Sequence, residues 1–169
     1  MDESLTEKLS KIKLLAMDVD GTLTDSAMFY SAEGEVLKRF STRDGMGITL
    51  LHKFGIQTAI LTSENTEIVI QRAKKLNIQD VILGTKTKDE DIKLLGNKYH
   101  LKLDEIAYIG DDINDIPVLK IVGFSACPQD ASKFVKDIVN YICKHNGGNG
   151  AIRELSEMIL IAKNIDIII

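Results

Sequence analysis

Tryptophan is missing from this 169-residue chain, and proline and cysteine occur only twice each. With so little proline, and with 44% apolar against 27% charged residues, the composition is that of an ordinary globular protein and excludes a disordered or fibrous chain. The length suits one domain with one sizeable core. Cys127 and Cys143 are too few for a secreted disulfide scaffold and lack metal-ligand spacing, so they read as buried thiols in a reducing compartment. Basic excess is lacking as well. A formal charge of −4 offers no phosphate-binding surface to nucleic acid and leaves small molecules as the expected partners. No uninterrupted apolar stretch reaches membrane-spanning length, and MDESLTEKLS is acidic and polar where a signal peptide would be basic and then apolar. The expectation is a cytoplasmic protein with no membrane partner. The greasy segment 159–169 is interrupted by Lys163, Asn164 and Asp166, which suits a helix end docking on a neighbouring element.

Four short apolar runs, 12–18, 56–62, 80–84 and 106–111, each stop at a polar or glycine-containing corner and read as buried strands. Helical patterns lie around 44–54, 65–76, 88–99 and 114–121. Shorter strands are expected at 123–128 and 140–143, and a closing helix over 149–163 after Gly147-Gly148-Asn149-Gly150. Strands alternating with helices predict an α/β fold with a parallel sheet sandwiched by helices.

One segment breaks the alternation. Residues 27–31 and 35–40 flank Ala32-Glu33-Gly34, which has the composition of a hairpin turn. Ala27, Met28, Phe29 and Tyr30 run consecutively, so this strand is apolar on both faces. An exposed ribbon of that kind needs a partner surface, and an oligomer contact is the preferred reading over packing on its own domain.

The chemistry gathers at strand ends. Asp18-Val19-Asp20-Gly21-Thr22 places two carboxylates after the first strand, where open α/β sheets hold their ligands. Two acids there repel unless a cation or shared proton intervenes, and Mg²⁺ with oxygen ligands is the usual answer in a phosphate site. Gly110-Asp111-Asp112-Ile113-Asn114-Asp115 follows another predicted strand and can converge on the first group, although helix capping could occupy Asp112 or Asp115. Thr62 ends a strand and Lys88 opens a helix; a hydroxyl and an ammonium are what phosphoryl oxygens require. Lys86 is the alternative lysine. Glu64, Arg72 and Lys75 lie on or just before one helix and are candidate substrate contacts or solvated charges. Asp44 is the expected N-cap of the helix at 44–54, with Arg43 beside it, and His145 stands next to the glycine-rich loop.

Through DVDGT, Thr62, Lys88 and GDDIND the chain resembles the haloacid dehalogenase superfamily of aspartyl-phosphate phosphatases along its whole length. More narrowly, through DGTLTD, Arg43-Asp44-Gly45, GDD and GGNGAIRE, it looks like the capless 3-deoxy-D-manno-octulosonate 8-phosphate phosphatase subfamily. That subfamily includes nonulosonate 9-phosphate phosphatases and the C-terminal module of some acylneuraminate cytidylyltransferases. Octulosonate enzymes usually carry Thr-Gly-Arg at the second motif, whereas Thr62-Ser63-Glu64 is closer to the nine-carbon branch.

The resemblance implies that Asp18 attacks phosphorus and that Asp20 serves as acid and base. Asp18, the backbone carbonyl of Asp20, and Asp111 would hold Mg²⁺. Thr62 and Lys88 would neutralise phosphoryl charge, Asp112 and Asp115 would support this shell, and Ser63, Glu64, Arg72 and Lys75 would meet the sugar acid. It also implies a single domain over 1–169 with no cap, whose hairpin, about 25–41, builds a homotetramer, the glycine-rich segment being able to reach a neighbouring site. A response-regulator receiver shares the residue types, but it places its phosphorylated aspartate after a middle strand. A non-catalytic assembly module would have no need of the full set of acids, threonine and lysine.

Overall fold

The computed structural model describes residues 2–167. Its six-stranded parallel sheet comprises β1 (Leu14–Met17), β4 (Gln57–Leu61), β5 (Asp80–Ile82), β6 (Ile106–Ile109), β7 (Phe124–Cys127) and β8 (Tyr141–Ile142). β2 (Phe29–Ser31) and β3 (Gly34–Leu37) form a separate antiparallel pair. The helices are α1 (Glu3–Ser10), α2 (Thr42–Lys53), α3 (Glu67–Leu76), α4 (Lys88–Tyr99), α5 (Ile116–Leu119), α6 (Lys133–Lys136) and α7 (Ala151–Ala162).

The central strands are apolar on both faces because both are covered. Leu15 and Met17 of β1 pack with Leu9, Ile48, Leu51, Val69, Ile152 and Ile159, from α1, α2, α3 and α7. The alternate residues Leu14 and Ala16 pack with Ile92, Leu95, Val118 and Val135, from α4, α5 and α6. Each fully buried Leu or Ile contributes about 1.5–3 kcal/mol relative to exposure, so the two cores fix the sheet's orientation without any disulfide. Both cysteines are buried thiols, and burial pushes Cys127 up to about 11.

Strand order is β5-β4-β1-β6-β7-β8. The chain leaves β1 for one side of the sheet and later crosses to β6 on the other, so the carboxyl end of β1 is the switch point where such sheets open a crevice. No cap domain separates β1 from α2, only the hairpin.

Several boundaries differ from the sequence reading. The helix at 44–54 starts earlier, because Ser41 is its N-cap: its hydroxyl accepts from the amides of Arg43 and Asp44. Asp44 instead lies one turn in, buried, and its carboxylate accepts from the amides of Gly150 (3.1 Å) and Arg153 (3.0 Å). It therefore caps α7. The pattern at 114–121 divides into a 3₁₀ turn at Ile113–Asp115 and α5, and α1 and α6 were not anticipated. After α7, Lys163 Nζ donates to the Ser10 carbonyl at 2.6 Å, and Ile165 and Ile167 pack on the core, so this end docks inside its own domain. Ile168 and Ile169 lie outside the described residues. No helix among the described residues is long and apolar enough to cross a membrane.

Candidate active site

Asp18 directly follows β1, Thr62 follows β4, Lys88 opens α4 after β5, and Asp111 follows β6 by two residues. The loops after β1, β4 and β6 thus line one cleft of about 250 Å³, formed by Asp18, Asp20, Thr62, Ser63, Glu64, Asp111, Asp112 and Asn114, together with Ser26 and Met28 from the approach to the hairpin, while Lys88 reaches Asp18 from the start of α4.

Lys88 is buried at the centre. Its ammonium donates to Asp18 Oδ1 and to Asp115 Oδ1, each at 2.6 Å, whereas Lys86 is exposed. Asp115 is wholly enclosed: Oδ1 also accepts from the Tyr108 hydroxyl at 2.7 Å, and Oδ2 from the amides of Asp111 and Asp112. It orients the lysine and ties down the loop that carries Asp111. Gly110 has no alternative there, since a Cβ would lie 2.3 Å from Asp115 Oδ2. Gly21 is equally constrained, with φ +89° and Asp111 Oδ2 only 2.0 Å from where its Cβ would stand.

Asp18, Asp111 and Asp115 bring carboxylate oxygens within 4.8 Å of one another. With all three carboxylates ionised, the one ammonium would leave two negative charges in excess. Burial, then Asp115, pushes Asp18 up to about 7; burial, then Asp18, pushes Asp111 up to about 8. A hard, all-oxygen donor set with this charge excess fits a divalent cation such as Mg²⁺. Asp115 is committed to Lys88, Tyr108 and two amides, so Asp18 and Asp111 are the carboxylates suited to hold it. Asp20 lies outside that cluster of side chains. Its Oδ1 accepts from Lys38 Nζ at 2.6 Å.

The other sequence candidates divide clearly. Thr62 is buried, its hydroxyl accepting from the Glu64 amide at 3.2 Å; Ser63 accepts from Asn114 Nδ2; and the exposed Glu64 lines the cleft. Asp112 is exposed and caps the turn that follows it, so for this residue the capping role is real. Arg72 is not brought to the cleft of this chain. It donates to the Ser41 carbonyl at 2.8 Å and lies over the Phe40 ring, bracing α3 against the start of α2, because Gly45 leaves room for its guanidinium. Lys75 is exposed on α3 and does not line the cleft. Arg43 is exposed in a shallow polar pocket beside Arg39 and Asn149. His145 Nδ1 lies 2.8 Å from Glu154, which also accepts from the Tyr141 hydroxyl and the Lys144 amide, so this group secures its own loop. The glycine-rich segment packs on the turn that follows β1. Gly147 and Gly148 press on the backbone of Gly21 and Thr24, and the Gly148 amide donates to the Thr22 carbonyl at 3.0 Å. Tyr108 and Lys38 were not foreseen: the first reads as a strand residue, the second as a hairpin charge.

An open parallel sheet holding carboxylates, a hydroxyl and an ammonium around one crevice at its switch point defines a phosphoryl-handling α/β protein. Residues 56–155 match the family model of haloacid dehalogenase-like hydrolases, and the chain belongs to that family. It is 38% identical over 159 residues to the 3-deoxy-D-manno-octulosonate 8-phosphate phosphatase of Haemophilus influenzae, covering 94% of this chain and 88% of the relative. A cobalt-bound structure of the Haemophilus influenzae phosphatase superposes with TM-score 0.91 at 39% identity, covering 93% of this chain and 92% of that one. The Moraxella catarrhalis phosphatase, solved with a magnesium ion, a phosphate ion and a KDO molecule, gives TM-score 0.93 at 38% identity, covering 97% and 94% of the two chains.

Proposed function

We infer that the protein is a Mg²⁺-dependent phosphatase of 3-deoxy-D-manno-octulosonate 8-phosphate that works through an aspartyl-phosphate intermediate. The observation that carries this reading is the convergence of Asp18, Asp20, Thr62, Lys88 and Asp111 on one cleft in a chain similar over nearly its full length to enzymes named for that substrate.

A carboxylate oxygen of Asp18 attacks phosphorus while Lys88 holds Asp18 by Oδ1 and keeps it from rotating away. Asp20 gives a proton to the departing sugar oxygen and later takes one from the water that hydrolyses the aspartyl phosphate. The Thr62 hydroxyl and the Lys88 ammonium meet the phosphoryl oxygens. Asp18, Asp111 and the Asp20 carbonyl would hold Mg²⁺, which when bound would supply the positive charge that lets a phosphate dianion approach a carboxylate. Asp115 and Tyr108 fix the lysine from behind. Ser63 and Glu64 line the cleft and are the side chains placed to read the sugar acid.

Glu64 favours a second substrate class, the nonulosonate 9-phosphates, because an acceptor-only carboxylate stands at the cleft where octulosonate enzymes usually carry arginine. Steady-state hydrolysis of both sugar-acid phosphates, with and without Mg²⁺, decides: the octulosonate ester should have the higher kcat/KM and lose turnover in chelator. Hydrolysis of neither ester with Mg²⁺ present would remove the reading.

The hairpin completes the proposal as an assembly element. Phe29, Tyr30, Val36 and Leu37 are between 45% and 64% exposed, more apolar surface than a lone ribbon sustains, and a second copy of the chain is the proposed cover.

A further inference from the structure

Beside the acid that handles the proton, the chain buries a cation. Lys38 follows the last residue of β3, and its side chain has no exposed surface. A lysine is almost never buried so completely unless it is paired. Here Nζ lies 2.6 Å from Asp20 Oδ1 and 2.7 Å from Glu35 Oε1. The two oxygens of Asp20 are thereby made unequal. Oδ1 accepts from Lys38, with the Thr24 hydroxyl at 3.5 Å, while Oδ2 is buried without a hydrogen-bond partner in a residue that lines the cleft.

A carboxyl that delivers a proton must be held within a few tenths of an ångström and about 10–20° of its line to the acceptor. We propose that Lys38 is a positioning residue that holds Asp20 by Oδ1 and so sets the line from the carboxyl to the leaving oxygen. This rests on the phosphatase reading above. In the first half-reaction the Asp18–phosphorus bond forms, the phosphorus–sugar oxygen bond breaks, and the proton on the Asp20 carboxyl passes to that oxygen. In the second, a water oxygen bonds phosphorus, the Asp18–phosphorus bond breaks, and a water proton returns to Asp20. Lys38 keeps its proton throughout. Glu35, on β3, pairs with the same ammonium and ties Lys38 to the hairpin, so the ribbon sets the geometry of the acid.

A leaving group that departs easily needs little protonation, whereas a basic one needs it most. The test therefore measures kcat/KM, which reports the step that expels the leaving group, for a series of aryl phosphates from 2,4-dinitrophenyl to phenyl with Lys38→Met. The loss should grow along the series, reaching roughly 10²-fold for phenyl phosphate and remaining smallest for the dinitrophenyl ester. In an Asp20→Asn background, Lys38→Met should add no further leaving-group sensitivity. An equal loss across the series, or none, would overturn the assignment and leave Lys38 as a hairpin strut. Should Lys38→Met fail to fold, Lys38→Gln, which keeps a donor at shorter reach, is read by the same slope. If the wild type hydrolyses no phosphate ester with Mg²⁺, the phosphatase reading has failed, a result distinct from a flat series in an active enzyme.

Discussion

Asp18 and Asp111 keep protons at pH values where an exposed aspartate is fully ionised. A carboxyl whose folded pKa is raised contributes stability below its unfolded value, about 3.9, and that contribution is lost as pH rises through the folded values of about 7 and about 8. In chelator the melting temperature should therefore fall between pH 5 and pH 8.5, and Mg²⁺, which prefers the ionised pair, should flatten that slope. Identical slopes with and without Mg²⁺ would count against the pair as the metal's carboxylates. Asp18→Asn should abolish turnover, since an amide is a poor nucleophile. Asp20→Asn should slow kcat by roughly 10²–10⁴-fold while Mg²⁺ binding, measured calorimetrically, persists. Glu64→Ala should raise the barrier for the sugar-acid phosphate by about 1–3 kcal/mol more than for an aryl phosphate, the difference being its contact with the sugar. Equal effects would place Glu64 in the phosphoryl scaffold. The acids, Thr62 and Lys88 were legible because each ends a strand or opens a helix, where spacing alone fixes the neighbourhood. Lys38 and Arg72 were not, since a lysine after a hairpin strand and an arginine on a helix look identical in sequence whether they face water or reach inward to Asp20 and Ser41.

The elements follow the same division. The central strands β1, β4 and β6 stand within the apolar runs that announce them, because continuous burial on both faces leaves no other use for such runs. α1 was hidden by its polarity: Leu9 is its only fully buried side chain, too little to make a stripe. Asp44 was misassigned because a carboxylate near a helix start resembles that helix's own cap, and only the tertiary fold shows that it serves α7. Asp44→Ala removes a charged acceptor from two amides, each such hydrogen bond contributing about 1.5–3 kcal/mol, so the urea midpoint should drop by the equivalent of about 3 kcal/mol. An unchanged midpoint would show that Gly150 and Arg153 find other partners.

At the scale of the molecule, a cleft without a cap and a ribbon without a cover belong together. Asp18→Asn acts on one and should leave the other intact; Phe29→Lys acts on the ribbon and should yield smaller species in light scattering. A Phe29→Lys protein of unchanged mass would return the hairpin to its own domain.

The contact between the Gly21 turn and the Gly147-Gly148 segment also has a consequence in time. The turn bearing Asp18 and Asp20 is synthesised before the backbone it rests on, which, like the Gly150 and Arg153 amides that Asp44 secures, arrives more than a hundred residues later. A nascent chain halted before residue 147 has its nucleophile but lacks the backbone on which the Gly21 turn rests, and cannot close the long loop that would hold that turn in shape. A chain ending before residue 147 should therefore carry the phosphatase motifs with much reduced turnover.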